Sequence, residues 1–178
     1  MISQDFVDYA QSGMTIQAAM LDQYRRFPDK QTRPHFIRWN GLHVRTADAI
    51  EVPREGIVQA TFVHVKTDIE QGFDLQVDGW LRLAEGEQID HLRTWYDPRY
   101  EDTVEYPFAS RDGKLWVWNV YKQRLPNGQV REDRWLENAG LWVEEVGPDE
   151  RIYHCSPGPL PEPDFEALVF RVRTSPSR

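Results

Sequence analysis

The sequence predicts a mainly β protein, a curved antiparallel sheet or an up-and-down β-barrel, with a helical cap at its N-terminus. Three observations carry this. Apolar residues recur at three- and four-residue spacing before Pro28 but at two-residue spacing from His35 onward. Turn-forming pairs then punctuate the chain, among them Glu85-Gly86, Asp112-Gly113 and Asn127-Gly128. The 178 residues include seven Trp, seven Tyr and eight Phe, enough apolar area for one substantial core.

Residues 3–27 read as two short helices joined at Ser12-Gly13. Phe6, Tyr9 and Ala10 mark the face of the first; Ile16, Ala19, Met20 and Tyr24 mark that of the second, with Thr15 as a candidate N-cap. Pro28 and Pro34 bracket a polar connector, so residues 1–34 form the cap. Residues 35–173 form the sheet, with strands expected at 36–46, 57–67, 73–83, 89–96, 115–122, 129–144, 151–155 and 165–173. In the third of these, Phe73, Leu75, Val77, Gly79, Leu81 and Leu83 define an apolar face, and Asp74, Gln76, Asp78 and Arg82 a polar one. Asn127-Gly128 suits a tight hairpin. The proline-rich run 156–163 suits an extended linker, since proline cannot donate to a ladder. Residues 174–178 are expected to be disordered, and the whole chain to be a single domain.

Two stretches share a rhythm, one starting at Gly56 and one at Gly113, aligning Gly79 with Gly140 and His91 with His154. A duplicated three-stranded unit would give this pattern. So would any β-meander.

Composition narrows function by exclusion. A net charge of −8 repels phosphate backbones, so nucleic acid is not an expected partner. Cys155 is the only cysteine, which rules out an internal disulfide and a multi-thiolate metal site. The N-terminus lacks a signal-peptide pattern and no apolar run is long enough to span a bilayer, so the expected address is cytoplasmic, with no membrane partner. No nucleotide or cofactor motif occurs. Homo-oligomerisation is left open.

The segment 78–98, DGWLRLAEGEQIDHLRTWYDP, resembles the strand–turn–strand ending in Tyr-Asp-Pro of SnoaL-like members of the NTF2-like superfamily, and 137–154 echoes it. That resemblance implies an α+β cone around an apolar pocket and activities such as cyclisation, isomerisation or dehydration by a lyase. The strand count, with Trp39-Asn40-Gly41, is instead similar to calycin-type barrels. Either resemblance implies an interior pocket for a hydrophobic small molecule.

The candidate acid–base groups are His64 and His91. Each sits mid-strand beside apolar residues, and an inward His next to an Asp of a neighbouring strand would form an acid–base pair. Strand alternation places His64 with Ala60 and Phe62, and His91 with Ile89, Arg93 and Trp95. A hydrogen-bonded structural or exposed imidazole is the alternative for both. Trp80, Arg93, Trp95, Trp116 and Trp118 are the candidate substrate-binding residues, offering rings and a cation to a flat, anionic ligand. Cys155 alternates with His154 and reads as a buried, inert thiol. These features suggest a small-molecule binder, or a cofactor-independent lyase, isomerase or cyclase. The alternative is a non-catalytic interaction protein with an exposed aromatic face.

Overall fold

The computed structural model describes residues 7–177, and its N-terminal cap contains one helix, α1 (Ile16–Arg26). Thr15 is its N-cap, accepting from the Ala18 amide at 3.1 Å. Two further first-turn amides have acceptors: Ile16 donates to Asn138 Oδ1 and Gln17 to the Glu137 carbonyl. The second expected helix is therefore present, but the first requires correction. Phe6 lies outside the described residues. Asp8 bridges to Arg38, and its carboxylate accepts from the Ala10, Asn40 and Gly41 amides, which holds a turn there instead.

Strands β1 (Ile37–Trp39) and β2 (Leu42–Val44) form a small hairpin turned at Asn40-Gly41, where both residues have positive φ. The main sheet is antiparallel and contains β3 (Asp48–Glu51), β4 (Glu55–Val65), β5 (Gln71–Arg82), β6 (Gln88–Trp95), β7 (Thr103–Arg124), β8 (Val130–Asp133), β9 (Gly140–Gly147), β10 (Glu150–Ser156) and β11 (Leu168–Pro176). Its order is β6-β5-β7-β4-β11-β10-β9, with β3 and β8 also paired to β7. The path ends at β6 and β9, so the sheet is open and does not close into a barrel. No helix among the described residues is long and apolar enough to cross a membrane.

β7 is the spine. One of its edges is paired along β5; the other receives β4, β3 and β8 in turn. Asp112-Gly113, expected to separate two strands, instead forms a bulge inside β7. The Ser110 side chain closes it, accepting from the Lys114 amide and lying 2.8 Å from the Lys114 carbonyl. Residues 129–144, expected as one strand, are divided into β8 and β9 by a turn in which Trp135 and Glu137 have positive φ. The tail is also corrected: Thr174, Ser175 and Pro176 pair with Val58, Ile57 and Gly56. The two rhythmically similar segments differ in pairing, because β7 pairs with β8 whereas β7 lies between β4 and β5.

The sheet's apolar face packs on itself. Phe73 and Phe170 stack at 4.8 Å, Tyr153 and Phe170 at 5.0 Å, and Phe62 lies 5.1 Å from Phe73. These rings fill the interior in which a ligand pocket was expected. A second cluster under α1 joins Tyr9, Ile16, Ala19, Ile37, Trp39 and Val44. Asp48 anchors the link between β2 and β3: its buried carboxylate accepts from Arg45, Arg151 and the Tyr153 hydroxyl at 3.0, 2.7 and 2.8 Å. Cys155 is fully buried, and burial pushes its thiol well above the ordinary range.

Candidate functional site

The face of β5, β6 and β7 opposite the Phe73 core carries a cluster of charged and aromatic side chains. Residues directly opposite in an antiparallel pair project to the same side. Asp74 is opposite both Arg93 and Trp118, and Gln76 is opposite both His91 and Trp116. The registers therefore collect these six residues on one face, with Trp95 one step further along, opposite Gly72.

Asp74 is the floor of the site and is completely buried. It accepts two bonds from Arg93, both of 2.8 Å, and its Oδ2 lies 2.7 Å from Nε2 of His91. A bidentate guanidinium is the strongest common partner for a carboxylate, and it lets the charge persist without water. The bond to Asp74 raises the Arg93 pKa above the usual arginine range. When Nε2–H donates to Asp74, the neutral His91 ring has Nδ1 free to accept a proton. About two fifths of the His91 side chain remains exposed, so a ligand can reach it (39%).

Trp118 forms the wall beside this pair, with its ring 5.4 Å from that of His91. Arg134, just after β8, lies over Trp118 at 3.9 Å. Burial holds the Arg134 guanidinium below its usual range; Asp74 opposes that shift and Arg93 adds to it. Among the described residues, no acceptor reaches Arg134 Nε or Trp118 Nε1, although both are buried. Glu132 of β8 lies 3.6 Å from Arg93, and Trp116 is partly exposed at the rim. Trp95 is approached by Lys122 at 4.8 Å and Arg93 at 5.9 Å.

Of the residues singled out in the sequence, the fold brings together His91, Arg93, Trp95, Trp116 and Trp118. Trp80 is elsewhere: it lies under Arg82 at 4.5 Å and lines a separate hollow with Gly56, Pro107 and Phe108. His64 is also apart. Its register with Val169 follows a bulge at Val63, so it leaves the face of Ala60 and Phe62 and is exposed. Asp74, Glu132 and Arg134 were not singled out. Strand alternation did put Asp74 on the polar face, but polarity there suggested solvent rather than burial. Arg134 carried no signal, because it sits in the turn that interrupts 129–144.

A second imidazole group occupies the far end of the sheet. His154 stacks on Trp142 at 4.0 Å, with Glu144 and Glu166 at its two ring nitrogens, 3.2 and 3.0 Å away. Both nitrogens are thus engaged, whereas among the described residues His91 is bonded through Nε2 alone. Comparison with protein-family models, with curated proteins and with solved structures finds no match to this chain, so the function is argued from the site alone.

Proposed function

We propose that the protein binds an anionic, ring-bearing small molecule on the open aromatic and cationic face formed by Trp116, Trp118, His91, Arg93 and Arg134. One observation carries this reading. Arg134 is a partly buried cation lying on Trp118, and among the described residues no carboxylate is bonded to it. A desolvated guanidinium without a counter-ion is unfavourable, and an incoming carboxylate, sulfonate or phosphate offsets that cost with charge-assisted bonds. Trp116, exposed at the rim, supplies the apolar surface for the attached ring, and the buried Trp118 backs Arg134.

The test is quenching of tryptophan fluorescence by 2-naphthoate, with the uncharged 2-naphthamide as control. Naphthoate is expected to bind, and Arg134→Gln to weaken it about tenfold or more, as loss of one charge-assisted bond implies. Equal binding of the amide, or no effect of Arg134→Gln, would discard the reading.

The Asp74–His91 contact favours a second reading, in which the bound molecule is also acted upon. With Asp74 fixing the tautomer, Nδ1 of His91 can take a proton from a ligand anchored on Arg134, as isomerisation or elimination requires. In that case His91→Gln abolishes turnover while leaving naphthoate binding within a few-fold of wild type.

A further inference from the structure

A separate groove lies on the opposite flank of Arg134, between α1 and the turn after β8. It is a hollow of about 200 Å3 lined by Gln17, Met20, Leu21, Tyr24, Thr46 and Trp135. Its apolar side chains face solvent: Leu21 is 50% exposed, Tyr24 46% and Trp135 56%. The buried stripe of α1 is Ile16, Ala19 and Gln23, so Leu21 and Tyr24 lie on a face that the fold leaves unpartnered. Trp135 is presented there at an energetic cost, since its φ of 56° is one that bulky residues rarely adopt. Both ends of its turn are held. Arg134 rests on Trp118, and Gln17 bonds both the amide and the carbonyl of Glu137.

The electrostatics of the groove oppose those of the molecule. Between residues 15 and 46 there are six Lys and Arg against two Asp, in a chain whose net charge is −8; Arg26 is paired with Asp22 and Arg45 with Asp48. Arg33 lies over the Tyr24 ring at 4.3 Å and Arg134 over the Trp135 ring at 5.0 Å. The Arg33 side chain bonds to the carbonyls of Phe27 and Pro28. Arg25 follows Tyr24 directly, and among the described residues no carboxylate pairs with Arg25, Lys30 or Arg33. The nearby acids are Asp22, already bound to Tyr9 and Arg26, Asp29, whose carboxylate accepts from the Gln31 amide, and the exposed Glu137. Tyr24 and Trp135 thus each carry a guanidinium to which, among the described residues, no carboxylate is bonded.

We infer that this groove docks an acidic peptide segment of a partner protein, one that inserts large apolar side chains between Tyr24 and Trp135 and sets carboxylates against Arg25, Arg33 and Arg134. The apolar contacts anchor it, and the charges select against basic and neutral sequences.

The experiment uses the full chain and a dye-labelled amphipathic peptide of roughly 15 residues, long enough to form a helix, made of Leu on one face and Glu on the other. Fluorescence anisotropy is expected to show saturable binding that weakens as salt is raised. Leu21→Asp and Trp135→Gly should each reduce affinity at least tenfold. Glycine accepts the left-handed backbone at position 135, so Trp135→Gly should unfold no earlier than wild type on heating. Retained naphthoate binding in the same variants separates this groove from the face on β5 to β7. The inference is overturned if the peptide does not bind, or if a matched Leu–Lys peptide binds equally well. It is likewise overturned if the variants bind as wild type does, or if vesicles of anionic phosphatidylglycerol, rather than the peptide, capture the protein through Leu21.

Discussion

Asp74 shows how one residue can hold a site together. A carboxylate excluded from water costs several kcal/mol unless it is paired, and here Arg93 and His91 supply that pairing. Removing one partner is worse than removing both. Arg93→Met is expected to destabilise the fold by about 3 kcal/mol, because Asp74 remains buried with only the His91 ring to match its charge. Asp74→Leu combined with Arg93→Met should regain most of that loss. Chemical denaturation of the two variants checks the order, and a double variant no more stable than Arg93→Met would contradict it. Part of this arrangement was legible. Alternation grouped His91, Arg93 and Trp95, and separately Trp116 and Trp118. The partner at the centre was not legible, because alternation names faces and not depths.

At the level of elements, the obstacle was register. The β5–β6 hairpin begins by pairing Arg82 with Gln88 and Leu81 with Ile89. Counting on from that turn would put His91 opposite Gly79 and Arg93 opposite the core residue Val77. The ladder instead shifts between Gln76 and Leu81, and β5 also shifts against β7 between Val77 and Gly79, so Arg93 meets Asp74. The half of β7 before its bulge was not among the expected strands; Pro107, which lacks a donor, lies inside it, paired with Ile57. Gly79 stands at the irregularity in β5. A methyl group there would collide with the Ala109 carbonyl oxygen, which belongs to the backbone and cannot rotate away. Gly140 is also crowded, but by side chains: an added Cβ would lie 2.8 Å from Val44 Cγ1 and 3.3 Å from Ile16 Cδ1. Gly140→Val is therefore expected to cost about 1–3 kcal/mol through overpacking. Gly79→Ala should cost more than Gly140→Ala, despite adding the same methyl group. Urea midpoints for the two alanine variants decide it, and the reverse order would mean that β5 and β7 can separate locally at little cost.

For the molecule as a whole, the buried phenols set an alkaline limit on stability. Burial, and hydrogen bonding to the Asp22 carboxylate, push Tyr9 up to about 12; burial pushes Tyr121 to about 12. Tyr153 is pushed well above the usual phenol range, chiefly by burial and then by the adjacent Asp48 charge. In the unfolded chain a phenol titrates near pH ~10. Above that pH the unfolded state releases protons that the folded state retains, so the folded state binds more of them and stability falls as pH rises. Below it, both states are protonated and these three groups add no pH dependence. Each phenol contributes up to about 1.4 kcal/mol per pH unit, so Tyr9 and Tyr121 together give up to about 3 kcal/mol per unit between roughly pH 10 and pH 12, and Tyr153 adds to the fall in the same direction. The Cys155 thiol acts in the same direction. Urea midpoints should therefore stay nearly level just below pH 10 as far as these phenols are concerned, then drop steeply, with tyrosinate absorbance appearing together with unfolding. Tyr121→Phe isolates one proton at little structural cost, since its hydroxyl makes only a long 3.4 Å bond to the Leu136 carbonyl. That variant should lose stability with pH about one proton less steeply than wild type. A slope unchanged by Tyr121→Phe, or tyrosinate forming fully while the fold persists, would show that water reaches these rings without unfolding.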